Sequence, residues 1–174
     1  MVFTSFSDDE YGGDSNGDGD ETSPAPGDWG QIWVNGIGEF DHAIIRYGGN
    51  NANALRFYQS DSGYFNHGKV EYCAYSGLAT ISCAIAIDNS EFSNNGQWPV
   101  NIYNSTIVDY SGNSGSGNLY DAFRLWGSTL DGITLSSEDC GFPFWINSLT
   151  VPGGNELTIA RSEEHTSELQ SLLI

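Results

Sequence analysis

Apolar and polar residues alternate along this chain in stretches of three to five, and each stretch stops at an Asn-Ser or Gly-Ser pair before another begins. Ile85-Ala86-Ile87-Asp88-Asn89-Ser90-Glu91-Phe92 has this form, and so have Val100-Asn101-Ile102-Tyr103-Asn104-Ser105-Thr106-Ile107 and Phe123-Arg124-Leu125-Trp126-Gly127-Ser128-Thr129-Leu130. A fourth copy, Phe144-Trp145-Ile146-Asn147-Ser148-Leu149-Thr150-Val151, keeps the pattern with one residue fewer before the Ser. A period of two predicts a short strand on either side of a corner. The 3.6-residue period of a helix is absent throughout.

A looser second element ends a β-rich run in Tyr-(Gly/Ser)-Gly or its like: Ile44 to Gly49, Tyr72 to Gly77 and Ile107 to Gly112. A unit of this size cannot bury its apolar face alone, so successive copies must stack into one continuous core, which predicts an all-β solenoid. The copies start at Ile85, Val100, Phe123 and Phe144. Their uneven spacing predicts loops of different length leaving the coil. Asn and Gly at the corners supply the positive φ that a sharp change of direction needs. An antiparallel sandwich is the competing architecture, with hairpin signals at Asn35-Gly36, Asn95-Gly96 and Asp131-Gly132.

Composition narrows the chemistry. Among 174 residues, 23 are Asp or Glu and 5 are Lys or Arg, a formal charge of -18. Without a basic cluster the electrostatic footprint of phosphate binding is missing, and nucleic acid is excluded as a partner. No run of apolar residues is long enough to predict a membrane span. Cys73, Cys83 and Cys140 show no metal spacing and read as small buried apolar residues, a Cys73 to Cys83 bridge being the alternative.

Several segments resemble the right-handed parallel β-helix modules of large secreted and surface proteins of bacteria. They are Phe3-Thr4-Ser5 followed by Asp8-Asp9, Gly12 to Gly19, Ser23 to Gly30, and Phe40 to Tyr47. The resemblance covers residues 1–160 and implies a right-handed coil, a secreted or cell-surface location, and a structural or adhesive role. Leu149 to Ala160 resembles a segment that opens a further set of coils, so both ends of the fragment are expected to be cuts. Gln31 departs from the family pattern, where a small residue follows the glycine. Residues 161–171 resemble instead a translated sequencing-adapter sequence. Residues 161–174 are therefore set aside as a non-native tail, and 20 acidic against 4 basic residues remain.

Three candidate chemistries follow. Residues 7–28 form an acidic loop inserted between strands, in which Asp14, Asn16, Asp18 and Asp20 place oxygen ligands at alternate positions around Gly17, as in the first half of an EF-hand-like loop. Position 12 of that pattern falls on Ala25, so Asp8, Asp9 or Glu21 must complete a calcium site. Secondly, parity turns Tyr103, Trp126 and, allowing for the deletion, Trp145 outward at matching positions, a candidate ladder for stacking on sugar rings. Trp98, Tyr110 and Tyr120 are further aromatics of this kind. Thirdly, β-helices include polysaccharide lyases and glycosidases, which need paired carboxylates and a basic clamp. Here Arg124 stands in sequence near Asp121, Asp131 and Asp139, while His42 and His67 occupy separate strand contexts with no third ligand in sequence. The partner expected from this reading is a polysaccharide or another surface protein.

Overall fold

The computed structural model describes residues 1–160 apart from 61, 131–133 and 155; the adapter-like tail and Asp131-Gly132 lie outside the described residues. Strand β1 (Val2–Phe3) is followed by the acidic segment. Three similar turns come next: β2 (Ile32–Val34), β3 (Gly38–Asp41) and β4 (Ile44–Arg46); β5 (Leu55–Tyr58), β6 (Gly63–Asn66) and β7 (Lys69–Glu71); β8 (Leu78–Ile81), β9 (Ala84–Asp88) and β10 (Glu91–Ser93). Then come β11 (Val100–Tyr103), β12 (Thr106–Ile107), the long β13 (Phe123–Leu130), β14 (Leu135–Ser136), a single helical turn α1 (Ser137–Cys140), β15 (Phe144–Thr150) and β16 (Ile159–Ala160).

Every pairing among the described residues is parallel and links each strand to its counterpart one turn away. This is a parallel β-solenoid of about five turns, and it excludes the hairpin sandwich. A first face carries β2, β5, β8, β11, the start of β13, and β15; a second carries β3, β6, β9, β12 and the end of β13; a third carries β1, β4, β7 and β10, extended by a bridge from Glu91 to Ser114.

On the first face the register runs Ile32, Leu55, Leu78, Val100, with Arg124 beside Asn101 and Phe144 beside Phe123, a coil of 21 to 23 residues. That register corrects the reading of the repeat. The copies at Val100, Phe123 and Phe144 turn the corner between the first and second faces, but the copy at Ile85 turns the next corner, between the second and third. The short first interval thus compares two corners of the coil rather than two loops. The true predecessor of the Val100 copy is Leu78-Ala79-Thr80-Ile81-Ser82-Cys83, in which Cys takes the Ser position. Likewise Tyr47 matches Tyr72 and not Tyr75: the two rings stack at 5.5 Å.

All three corners obey one rule. On successive turns a residue with left-handed backbone makes the corner, and the next residue turns inward. Gln59, Ser82, Asn104 and Gly127 make the first corner on successive turns, His42, His67, Asn89 and Gly112 the second, and Tyr47, Tyr72, Asn94 and Gly117 the third, with φ between 46° and 77°. The inward residues bond from turn to turn. Cys83 N–H donates to Ser105 Oγ (3.1 Å), Gly68 N–H to Ser90 Oγ (3.0 Å), Ser90 N–H to Asn113 Oδ1 (3.1 Å), and Cys73 N–H to Asn95 Oδ1 (3.2 Å). Buried donors that the parallel ladders leave over at the corners are satisfied in this way.

Between the corners the core is apolar. Phe65, Phe92, Phe123 and Phe142 form a continuous aromatic column with neighbouring ring centroids 5.2 to 6.0 Å apart, and each side chain is fully buried. Each contributes about 1.5–3 kcal/mol through burial. Cys73 and Cys83 belong to the inward slots of two different corners, and Cys140 is buried beyond Asn113; all three are free thiols. The Cys73 to Cys83 bridge is therefore not formed.

Residues 4–31 occupy the connection from the third face to the first, which on the next turns needs only residues 47–54 and 72–77. The end of this long connection is seated on the coil: Trp29 Nε1 donates to the Arg46 carbonyl (2.8 Å), and Gly49 N–H donates to the Gly30 carbonyl (2.6 Å). Gly48 is what admits the indole, since a Cβ there would stand 2.5 Å from the Trp29 ring.

Candidate functional site

By register the first face carries two rows pointing away from the core, although Ala79 in one of them is itself buried. One runs Trp33, Arg56, Ala79, Asn101, Arg124, Trp145, and the other Tyr58, Ile81, Tyr103, Trp126. Tyr103 and Trp126 are register partners with ring centroids 5.8 Å apart, as their parity predicts. Trp145 falls in the other row. Its register partner is Arg124, since Phe144 pairs with Phe123. Trp126 stands opposite Ser148 at a local irregularity, after which Ser128 pairs with Leu149, so no residue is missing and the exposed Ser148 does not take the inward place of Ser128. The three aromatics thus share a face but not a single file.

What joins them is Arg124. Its guanidinium lies 4.5 Å from the Trp126 ring centre and 5.6 Å from that of Trp98, while Nε donates to Asn147 Oδ1 (3.0 Å). Trp98 stacks on Tyr120 at 4.4 Å and meets Trp145 edge-on at 5.2 Å. Trp126, Trp145 and Tyr120 keep 45, 51 and 43 % of their surface exposed, whereas Trp98 is buried beneath them. Tyr110 has no part in this surface: it is buried at another corner, edge-on to Phe144. At the opposite end of the same face Arg56 lies 5.1 Å from the Trp33 ring and 5.6 Å from that of Tyr58. With strands about 4.8 Å apart, Trp33 to Trp145 spans five steps, about 24 Å. Trp33 was legible in principle, since Ile32-Trp33-Val34 alternates as Phe144-Trp145-Ile146 does.

In a chain so acidic, the ion-pair inventory separates its cations. Arg46 is buried among Asp8 (3.4 Å), Glu10 (2.6 Å) and Glu71 (3.4 Å), and Lys69 bridges Glu71 and Glu91. Burial opposes the Arg46 charge, yet hydrogen bonds to Glu10 and Tyr47 and the nearby Asp8 carboxylate hold it more firmly protonated than usual. Among the described residues neither Arg56 nor Arg124 has an acidic partner within 4.0 Å. Their guanidinium groups remain framed by aromatic faces, a setting that suits recognition of oxygen-rich ligands.

In the acidic loop, the Asp14 carboxylate accepts from the backbone N–H groups of Asp18 and Gly19, both at 3.0 Å, and Asn16 Oδ1 accepts from Asp18 N–H at 3.3 Å. The candidate ligands therefore shape the turn themselves. Burial of its carboxylate, then the charges of Asp14, Asp18, Asp20 and Asp8, raise Asp9 above the usual carboxylate range. Asp9 Oδ1 and Asp18 Oδ1 are both shielded from solvent without a hydrogen-bond partner. Asp8 faces the coil, accepting from Thr4 Oγ1 and pairing with Arg46.

Comparison with protein-family models, with curated proteins and with solved structures finds no match to this chain.

Two further clusters were not visible in the sequence. At the second corner, Asp41 Oδ1 lies 3.0 Å from His42 Nδ1 and 3.3 Å from His67 Nδ1, and the two imidazoles stack at 4.9 Å. The separate contexts of the two histidines in the sequence are thus neighbouring steps of one ladder, with a third ligand type beside them. Further along that corner, burial and then the neighbouring Asp109 push Asp88 up to about 6. A shallow concavity of about 470 Å³ adjoins, lined by Asp109, Tyr110 and Asp139 among others. Asp121 is not a clamp partner of Arg124; it caps the third corner by accepting from Gly117 N–H, Asn118 N–H and Asn118 Nδ2.

Proposed function

We propose that this chain is a structural segment of a secreted or cell-surface solenoid whose first face adheres to polysaccharide. The observation that carries the reading is the Arg124 cluster: a cation with no acidic partner among the described residues, held between Trp126 and Trp98, with Tyr120 and Trp145 completing an open aromatic platform. Flat aromatic faces bury the apolar C–H surface of a sugar ring, and guanidinium N–H groups donate to its hydroxyl or carboxylate oxygens. The Trp33, Arg56 and Tyr58 cluster repeats the arrangement at the far end of the face, as a ligand made of repeating units would require.

The acidic loop is proposed to bind calcium through Asp9, Asp14, Asn16, Asp18 and Asp20. Two buried carboxylate oxygens without partners among the described residues support this, as does the raised Asp9 carboxyl, set by burial and then by the neighbouring acidic charges. Asp8 is better placed to fasten the loop to Arg46 than to hold the ion.

Retention of the purified chain on a panel of immobilised neutral and acidic polysaccharides tests the reading. Retention of at least one, lost on replacing Trp126 and Trp145 by Ala, is expected. Passage through every matrix without delay would overturn it.

A further inference from the structure

We propose that Asp41, His42 and His67 form a zinc site at the corner between the second and third faces. The coil sets this trio together. His42 and His67 hold the same left-handed corner position on adjacent turns, with φ of 53° and 49°, and Asp41 precedes the first of them. A left-handed backbone disfavours most side chains and projects this one away from the core. On the next two turns the position is taken by Asn89 and Gly112, the residue types that accept it most readily. Imidazoles at two consecutive turns therefore place two nitrogen ligands about 4.8 Å apart along the ladder, the spacing of parallel strands.

The three donor atoms already converge. Asp41 Oδ1 is within 3.3 Å of both Nδ1 atoms, one ligand atom from each residue lies within 4.8 Å of the others, and all three residues are exposed to solvent. Two imidazoles and one carboxylate suit a borderline cation such as zinc, whereas calcium and magnesium prefer an all-oxygen set. A small closure of the rings, with both Nδ1 atoms deprotonated and the proton of each neutral ring on Nε2, gives three protein ligands. The remaining coordination position faces solvent and stays open to water or an external donor. The site is separate from the acidic loop, and it would fasten the turn of β3 to that of β6.

The chain itself supplies substitutions that fit the fold. Asn stands in the His position at residue 89 and in the Asp41 position at residue 66. Zinc should be titrated calorimetrically into the full chain carrying His165→Ala, which leaves His42 and His67 as its only histidines. One equivalent should bind, and excess calcium should not displace it. His42→Asn, His67→Asn and Asp41→Asn should each weaken binding by about 10–100-fold or more, the loss typical even of outer-sphere partners, with the β-rich circular dichroism unchanged. Asp14→Asn with Asp18→Asn should leave zinc binding intact. Absence of zinc binding, or binding undiminished in the His42→Asn/His67→Asn double variant, would overturn the proposal.

Discussion

Asn118 Oδ1 accepts two hydrogen bonds from Asn95, one turn away: the backbone N–H at 3.1 Å and the side-chain Nδ2 at 2.9 Å. Asn95 repeats the gesture toward the preceding turn, accepting from Cys73 N–H and donating from Nδ2 to the Val70 carbonyl. Replacing Asn95 by Ala strands these buried groups, each at about 1–3 kcal/mol. At about 2–4 °C per kcal/mol for a chain of this length, the thermal midpoint should fall by roughly 10 °C. Asn95→Asp removes the Nδ2 donor and buries a charge, so it should be no better tolerated. A scan showing either variant within 2 °C or so of wild type would contradict the structural role given to the ladder.

Arg46 makes a second prediction. It is nearly inaccessible, and so are Asp8 and Glu71. Arg46→Ala leaves two buried carboxylates without their cation, a loss of about 3–5 kcal/mol. The acidic loop also loses its tie through Asp8 and Glu10, so limited proteolysis should cut within residues 10–28 faster than in wild type. Equal cleavage rates would mean that Trp29 and Gly30 hold the loop unaided.

The buried thiols should be inert. Burial pushes Cys73 and Cys140 up to about 12, so even at pH 10 only about 1 % of each is thiolate and both should react far more slowly than a free thiol at the same pH. Ordinary cysteines are mostly thiolate there. All three cysteines should react once the chain is unfolded. Rapid native-state labelling of Cys73 or Cys140 would show that its corner opens.

Calcium should bind in the extracellular range of about 10⁻⁴ to 10⁻³ M. At 1 mM ion the tight end of that range stabilises the fold by about 1.4 kcal/mol, so chelation should loosen residues 8–28 without melting the coil. Asn at position 14 keeps one of the two oxygens that accept from the Asp18 and Gly19 N–H groups, and the two substitutions together remove two charges. Asp14→Asn/Asp18→Asn should therefore abolish the calcium heat and leave the circular dichroism unchanged. Calcium heat that survives the double variant would move the ion elsewhere.

How much of this was legible in the sequence follows from the range of each interaction. The corner motif was, because a left-handed Asn or Gly and an inward Ser lie side by side in the chain. The register was read less well, since three corners use the same chemistry and a local match cannot tell Ile85, at the second corner, from Val100, at the first. The Tyr103 and Trp126 pairing followed from parity, but Trp145 lies in the row of Arg124, because Phe144 pairs with Phe123 and the deletion inferred from Ser148 does not exist. His42 and His67 were read as separate because the contact that joins Asp41 and His42 to His67 crosses a whole turn, and Arg124 became central only when Trp98 and Tyr120, from the third corner, were set beside it.

The adhesive face is tested most directly by tryptophan fluorescence titration with a retained polysaccharide, comparing wild type, Arg124→Gln and Trp126→Ala/Trp145→Ala. The account predicts saturable binding by wild type, a loss of about 1–2 kcal/mol or roughly 5–30-fold in affinity for Arg124→Gln, and no measurable saturation for the double variant, with all three proteins melting within a few degrees of one another. Equal affinity across the three would contradict it and remove the first face as the binding surface.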